Sequence, residues 1–413
     1  MEDLVKIYDL LVKIYRDKAY SSIELSKVLP SCLNKQFATK LTYGVLEKDV
    51  ELTYYINMLT SKKPQNAIAI LLKMGIYCIK YMDSCPDYAV VDNFVDLTGL
   101  VGKKQLKGFV NSVLKSFCNA RPDYPTAEKE NLSVSTSTPL WLVKEYIKQY
   151  GLEKTKEFLS VNHITDEHIR PNLRKLSIEE LAQKLDNKQV PYRLDDRGGM
   201  FVTNNAYIQD MFDAGYITYQ SLTSMICAQA VDIQDGMKVL DVCSAPGGKA
   251  VYLSELANDA EIVACDIHEH RIELINKYIY RMQAKNIETQ YNDATVYREA
   301  FANKFDRVLC DVPCSGFGVA GKKPDIYIDS SPEKVNALAL VQYDILRHSA
   351  RYLKENGVLI YSTCTTLRQE NYNIVGKFVK EYRGFEVVEF TQYLPDDKGG
   401  DGFFIAKIRR KND

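Results

Sequence analysis

With 413 residues the chain is too long for one ordinary hydrophobic core, and two or three domains are expected. Hydrophobic residues make up 46% and charged residues 26%, the balance of a globular protein, and a net charge of −1 excludes a field drawing the whole chain onto nucleic acid. Any basic surface must be local.

In chain order, the opening "MEDLVKIYDLLVKIYRDKAY" is charged and amphipathic, unlike the apolar core of a signal peptide. Its apolar residues recur at helical spacing. "NAIAILLKMGIYCIKYM" suits a buried central helix; broken by Lys73 and Lys80, it falls short of a membrane span. A cytoplasmic protein with no membrane partner is the expectation. "DYAVVDNFVDLTGL" and "QLKGFVNSVLKSF" follow, so residues 1–125 read as all helix. They carry 17 Lys/Arg against 13 Asp/Glu, an excess too small to name a partner. Near 121–137, "RPDYPTAEKENLSVSTSTP" is polar, with three prolines, and reads as a linker. Residues 138–205 form a small mixed segment, with helices at "PLWLVKEYIKQYG" and "SIEELAQKLDNKQ" and short strands at "HIRPNLRKL" and "MFVTN".

From about 220 the pattern alternates. "KVLDVCSA", "EIVACDIH", "RVLCDVP" and "GVLIYSTC" are short β-rich runs, each followed by a turn and a helical stretch. Such alternation predicts an α/β domain with a mainly parallel sheet, helices on both faces and ligands beyond the carboxyl ends of the strands. The expected fold class is multidomain: an all-α domain over 1–125, a linker and small α+β segment over 126–219, and the α/β domain over 220–413.

Two of those strand ends read as a cofactor site. "VLDVCSAPGGKA" is a strand, a turn with Gly247 and Gly248, and a helix start; the glycines let a ligand approach the backbone. The turn is neither a dinucleotide fingerprint nor a P-loop, so alone it is equally a structural turn or a nucleoside site. Asp266, at the end of "IVACDIH", is placed to accept hydrogen bonds from both ribose hydroxyls, or else to cap the next helix. Asp293, in "YNDAT", is placed for an adenine amino group, or else is a turn aspartate. Ribose and adenine contacts without a phosphate cradle suggest S-adenosylmethionine.

The ten cysteines include no Cys-x-x-Cys pair and have no histidine at zinc-finger spacing, so free thiols and no structural metal are expected. Cys78, Cys227 and Cys310 lie in apolar runs and read as core. Cys314, in "DVPCSGFGV", and Cys364, in "YSTCTT", instead close two strands. Both could still be packing thiols, but beside a methyl donor they suggest chemistry. Carbon 5 of a pyrimidine is too poor a nucleophile to take a methyl group unaided. A thiolate added at carbon 6 makes it one, and removal of the carbon-5 proton then releases the thiolate. The attacking cysteine needs a lowered pKa, which a helix beginning in "LRQENYNIVGKFVKEY" could supply to Cys364. Asp311 could hold the ring nitrogen. Which cysteine attacks is left open by this logic.

Together "LDVCSAPGGKA", "DVPCSGFGV", "KKPDI", "YSTCTTLRQEN" and "DGFFIAKI" resemble the RNA 5-methylcytosine methyltransferases of the RsmB (Fmu/Sun) family, over the whole chain. "PDYAVVDNFVDL" and "GFVNSVL" resemble its NusB-like RNA-binding domain, and "IRPNLRK", with Arg170 and Asn172, a segment of its small domain. The resemblance implies a Rossmann-like catalytic domain, Cys364 as nucleophile and Cys314 assisting product release. It also implies a cofactor segment of Cys243, Ser244, Ala245, Pro246, Gly247, Gly248 and Lys249, completed by Asp266, Asp293 and Asp311. The substrate implied is 16S rRNA, with a monomer as the expected state. A tRNA methyltransferase shares these motifs, and an antitermination scaffold with an inactive catalytic half is the reading from another class. Three positions depart from the family pattern: Lys322 and Lys323 replace a guanidinium pair, and Ser221 replaces an aspartate.

Overall fold

The computed structural model describes residues 1–82, 85–161 and 167–412. Its contacts divide into two compact units, Met1–Ser160 with Ala320–Ser330, and Val161–Val319 with Ser331–Asp413.

In the first unit, helix Glu2–Asp17 buries Leu4, Ile7, Leu11 and Ile14 along one stripe. Helix Asn66–Tyr81 is buried on most sides, which is why it reads apolar throughout. Its two lysines do not face an unpaired interior. Lys73 pairs with Asp49, and Lys80 Nζ lies 2.5 Å from Glu51 Oε1, a carboxylate only 1% exposed. The polar stretch read as a linker is partly helix: Glu128–Ser135 buries Leu132 and Val134. Two apolar side chains on one turn suffice to dock it, and polar neighbours hide that pattern. Segment 320–330 also belongs here. Ile328 packs on the helical core, Asp325 accepts a hydrogen bond from Ser21 N at 2.9 Å, and Asp329 lies 3.0 Å from Lys18.

The second unit holds two sheets. Strands β1 (Glu167–Pro171), β2 (Tyr192–Leu194), β3 (Met200–Val202) and β4 (Ile217–Tyr219) form an antiparallel sheet ordered β2-β3-β1-β4. The larger sheet comprises β5 (Lys238–Asp241), β6 (Glu261–Asp266), β7 (Ile287–Tyr291), β8 (Phe305–Asp311), β9 (Leu353–Thr363), β10 (Phe385–Tyr393) and β11 (Phe403–Arg410), ordered β10-β11-β9-β8-β5-β6-β7. Strands β5 to β9 are parallel neighbours and β10 and β11 close one edge antiparallel. Alternate residues serve opposite faces. Val239, Leu309 and Ile360 pack beneath helices Leu222–Ala230 and Gly248–Leu256, while Leu240, Val308, Cys310 and Tyr361 pack beneath Pro332–Ala350 and Tyr372–Glu381. This is the expected α/β architecture. The chain reverses its winding between β5 and β8, where such sheets open a crevice at their carboxyl ends.

Among the described residues no helix is long and apolar enough to cross a membrane.

Candidate active site

Parallel register brings the two cysteines together. In the β8–β9 pair Asp311 stands opposite Ser362, so both strands end at the same edge. Three residues beyond Asp311 and two beyond Ser362, Cys314 Sγ and Cys364 Sγ lie 3.3 Å apart. All ten cysteines are free thiols. Those expected in the core behave as core: burial pushes Cys227 and Cys310 up to about 12, and Cys78 likewise. Cys314 is held well above the usual thiol range for a different first reason, its hydrogen bond with Cys364, reinforced by burial and by Glu370 and Asp311. A helix start does not follow Cys364 directly. The helix begins only at Tyr372, because residues 367–371 are folded into turns, Glu370 N bonding Leu367 O at 3.1 Å and Asn371 N bonding Arg368 O at 3.2 Å.

The tight loop around Cys314 depends on two glycines. Gly318 N donates to Cys364 O at 3.0 Å and Gly402 N donates to Gly318 O at 2.8 Å. A Cβ on Gly318 would stand 1.9 Å from Gly402 O, which no side chain could occupy. The glycine of "DGFF" thus lets the start of β11 approach the loop that carries Cys314.

Next to the cysteines lies a charged cluster. Asp311 Oδ1 accepts from Ser362 Oγ at 2.8 Å and Oδ2 from Lys249 Nζ at 2.6 Å. Each oxygen thus has one partner and keeps a further lone pair for another donor. Burial works against the Lys249 charge, but Asp311 outweighs it and holds the ammonium above its usual range. Sequence reasoning passed over Asp241, at the end of β5. Burial, with Asp311 nearby, pushes its carboxyl up to about 7. Its place at a central strand end was the available signal.

The residues expected to hold a cofactor line the neighbouring strand ends. Ser244 N donates to Cys265 O at 2.8 Å, and Gly247 caps helix Gly248–Leu256 with φ +107°, a conformation that favours glycine. Ala245–Pro246 is a cis peptide. Asp266, 4% exposed, accepts from His268 N at 3.1 Å through Oδ1, while Oδ2 lies 3.9 Å from Arg271. It does not cap helix Glu269–Met282, whose N-cap is His268. Asp293 Oδ1 accepts from Thr295 N at 2.9 Å and from its hydroxyl at 2.6 Å, leaving Oδ2 outside that turn. Beside it the buried Asn292 Nδ2 has no hydrogen-bond partner among the described residues. An orphaned donor, two carboxylates and a glycine turn at consecutive strand ends fit a nucleoside. Ser221, in place of an aspartate, still caps helix Leu222–Ala230, accepting from Ser224 N at 3.3 Å. Lys322 and Lys323 fall in the segment that belongs to the helical unit.

A doubly wound sheet with a nucleoside site at its switch point and a thiol pair on the adjacent strands defines a Rossmann-like methyltransferase. Family models agree: "16S rRNA methyltransferase RsmB/F" matches residues 228–409 and "NusB family" matches 7–119. The chain is 32% identical to the probable ribosomal RNA small subunit methyltransferase B of Bacillus subtilis, over 98% of this chain and 97% of that one. It is 30% identical to the Photorhabdus laumondii ribosomal RNA small subunit methyltransferase B, over 94% of each. Among solved structures, PH0851 superposes with a TM-score of 0.83 at 21% identity, covering 98% of this chain and 99% of its own. NSun6 from Pyrococcus horikoshii, solved with SFG, gives 0.58 at 19%, covering 65% and 97%. The chain belongs to the ribosomal RNA small subunit methyltransferase B family. Its substrate class is RNA and its methyl donor is S-adenosylmethionine, which the strand-end residues described above fit.

Proposed function

We propose that this protein methylates carbon 5 of a cytosine in 16S rRNA, through a covalent adduct on Cys364 that Cys314 helps to release. The observation that carries the reading is the 3.3 Å approach of the two sulfurs at adjacent strand ends, beside the cofactor residues. The Cys364 thiolate adds to carbon 6 of the ring, and the electron pair displaced towards carbon 5 makes that carbon nucleophilic. S-adenosylmethionine supplies the methyl group. Removal of the carbon-5 proton supplies the electron pair of the carbon 5–carbon 6 double bond and expels the Cys364 sulfur; in that step Cys314 gives its proton to the departing sulfur and takes up the carbon-5 proton in its place. Both cysteines end as thiols. Asp241, Lys249 and Asp311 keep charge balanced beneath the ring. The helical unit contributes RNA affinity rather than chemistry. An inactive scaffold would have no use for this arrangement.

The test is a pair of single substitutions. Cys364→Ala abolishes methylation, read by bisulfite sequencing of 16S rRNA, while leaving cofactor binding nearly intact. Cys314→Ser blocks the exit but not the entrance, so a protein–RNA adduct accumulates as a slower band on a denaturing gel. A Cys364→Ala/Cys314→Ser double variant shows none. Trapping by Cys364→Ala instead reverses the two roles, and trapping by neither ends the covalent scheme.

A further inference from the structure

Glu370 is fully buried, and its carboxylate is spent on the residues around Cys314. Oε1 accepts from Ser315 N at 2.8 Å and from Gln342 Nε2 at 2.9 Å, and Oε2 accepts from Ser315 Oγ at 2.6 Å. Gln342 Nε2 also donates to Pro313 O at 2.9 Å. Both neighbours of Cys314 are thereby held, one directly and one through Gln342. Ser315 Oγ also lies 2.8 Å from Thr365 Oγ1, which ties the neighbour of Cys314 to the neighbour of Cys364. Tyr361 OH donates to Glu370 O at 2.6 Å, fixing the carboxylate's own backbone to β9.

The next residue does the same for the other cysteine. Asn371 Oδ1 accepts from Thr363 Oγ1 at 2.5 Å, and its Nδ2 donates to Thr365 O at 3.0 Å. Two consecutive side chains in one turn therefore bracket both cysteines. Burying a carboxylate is costly, and simple loop packing needs only an apolar side chain. A carboxylate retained here, accepting three hydrogen bonds, points to a demand for fixed geometry.

We propose that Glu370 is a positioning residue of the methyl-transfer reaction, holding Cys314 against Cys364 so that the covalent adduct can be resolved. This rests on the roles assigned to the two cysteines above. Displacing Cys314 by even an ångström slows release far more than it slows attack, because attack depends on Cys364.

The experiment uses the full-length protein, a 16S rRNA transcript and S-adenosylmethionine, with Cys314→Ala run in parallel. Glu370→Ala lowers kcat by on the order of a hundredfold. KM for RNA and the Kd for S-adenosylmethionine stay near wild type, and an adduct accumulates on a denaturing gel. Glu370→Gln restores most of the turnover and clears the adduct, since its amide oxygen can accept from Ser315 N and Gln342 while its NH2 donates to Ser315 Oγ. Should Glu370→Ala fail to fold, Ser315→Ala removes the hydroxyl contacts alone and shows a smaller slowing, again with adduct. Wild-type kcat in Glu370→Ala, a loss confined to KM, slowing without adduct, or Glu370→Gln as slow as Glu370→Ala would each overturn the assignment. If Cys314→Ala traps RNA and Glu370→Ala does not, only this inference falls. If Cys314→Ala does not trap, the reading of the cysteine pair falls with it.

Discussion

Asp266 joins two demands in one side chain. One oxygen closes the turn after β6 through His268 N, and the other lies 3.9 Å from Arg271. That oxygen remains available to the donors of a ligand, although the residue is only 4% exposed. Ribose hydroxyls would do so. Charge-assisted hydrogen bonds contribute roughly 1.5–3 kcal/mol, so Asp266→Ala weakens S-adenosylmethionine binding about ten- to a hundredfold. Titration calorimetry reads this directly, and unchanged affinity would reduce Asp266 to a turn residue. The cysteines make the complementary point. Cys227 and Cys310 are thiols pushed up chiefly by burial, whereas Cys314 is held up first by another sulfur. Two cysteines of one type serve different ends because their neighbours differ.

At the scale of elements, the site is a consequence of strand order. Parallel pairing of β5 with β6 and β8, and of β8 with β9, sends the carboxyl ends of those strands to one edge, so residues from their turns meet there. What then fixes the loop that carries Cys314 is the crossing of Gly318 and Gly402. Gly318→Ala places a methyl group 1.9 Å from a backbone oxygen, and the backbone must move. Overpacking of this kind costs roughly 1–3 kcal/mol of stability. Gly318→Ala therefore unfolds at lower denaturant and loses most of its methyltransferase activity. It binds S-adenosylmethionine almost normally, because the cofactor turn lies on other strands. Full activity in single-turnover assays would show that the loop accommodates the methyl group. Helices were the less predictable elements. Residues 367–371, read as the start of a helix, fold into turns instead, and Glu370 and Asn371 spend their side chains on the cysteine-bearing chain.

For the whole molecule, the helical unit is larger than its apolar helices suggest. Helix Glu128–Ser135 follows the proline-containing stretch yet packs with them, Val50 N donating to Ser137 Oγ at 3.1 Å, and segment 320–330 adds Ile328 to the same core. Deleting residues 1–125 therefore does more than remove an RNA-binding module. It strands Leu132, Val134 and Ile328 without a core, and exposed apolar patches favour association. The deletion variant aggregates, or melts at a lower temperature, in light scattering and thermal scans beside the full chain. A monodisperse fragment with the full-length melting profile would mean that residues 126–160 and 320–330 are stable without the front helices.

Much of this protein was determined by its sequence alone. Helical spacing over the first helices, alternation of β-rich runs with helices beyond 220, glycines after the first strand of the larger sheet and acidic residues at strand ends all follow from local periodicity and turn chemistry, which chain neighbours dictate. The cysteines at 314 and 364 were legible for the same reason, as residues closing two strands. Tertiary structure alone decided that β8 and β9 are adjacent and in register, and hence that the sulfurs lie 3.3 Å apart. It also decided that Asp241 is buried beside Asp311, that Glu370 reaches back to Ser315 across 55 residues, and that segment 320–330 packs with the front helices. Those facts depend on which distant segments share a sheet edge or a core. Burial and hydrogen bonding between such segments are set by the packing of the whole unit, and no local pattern in the chain encodes them.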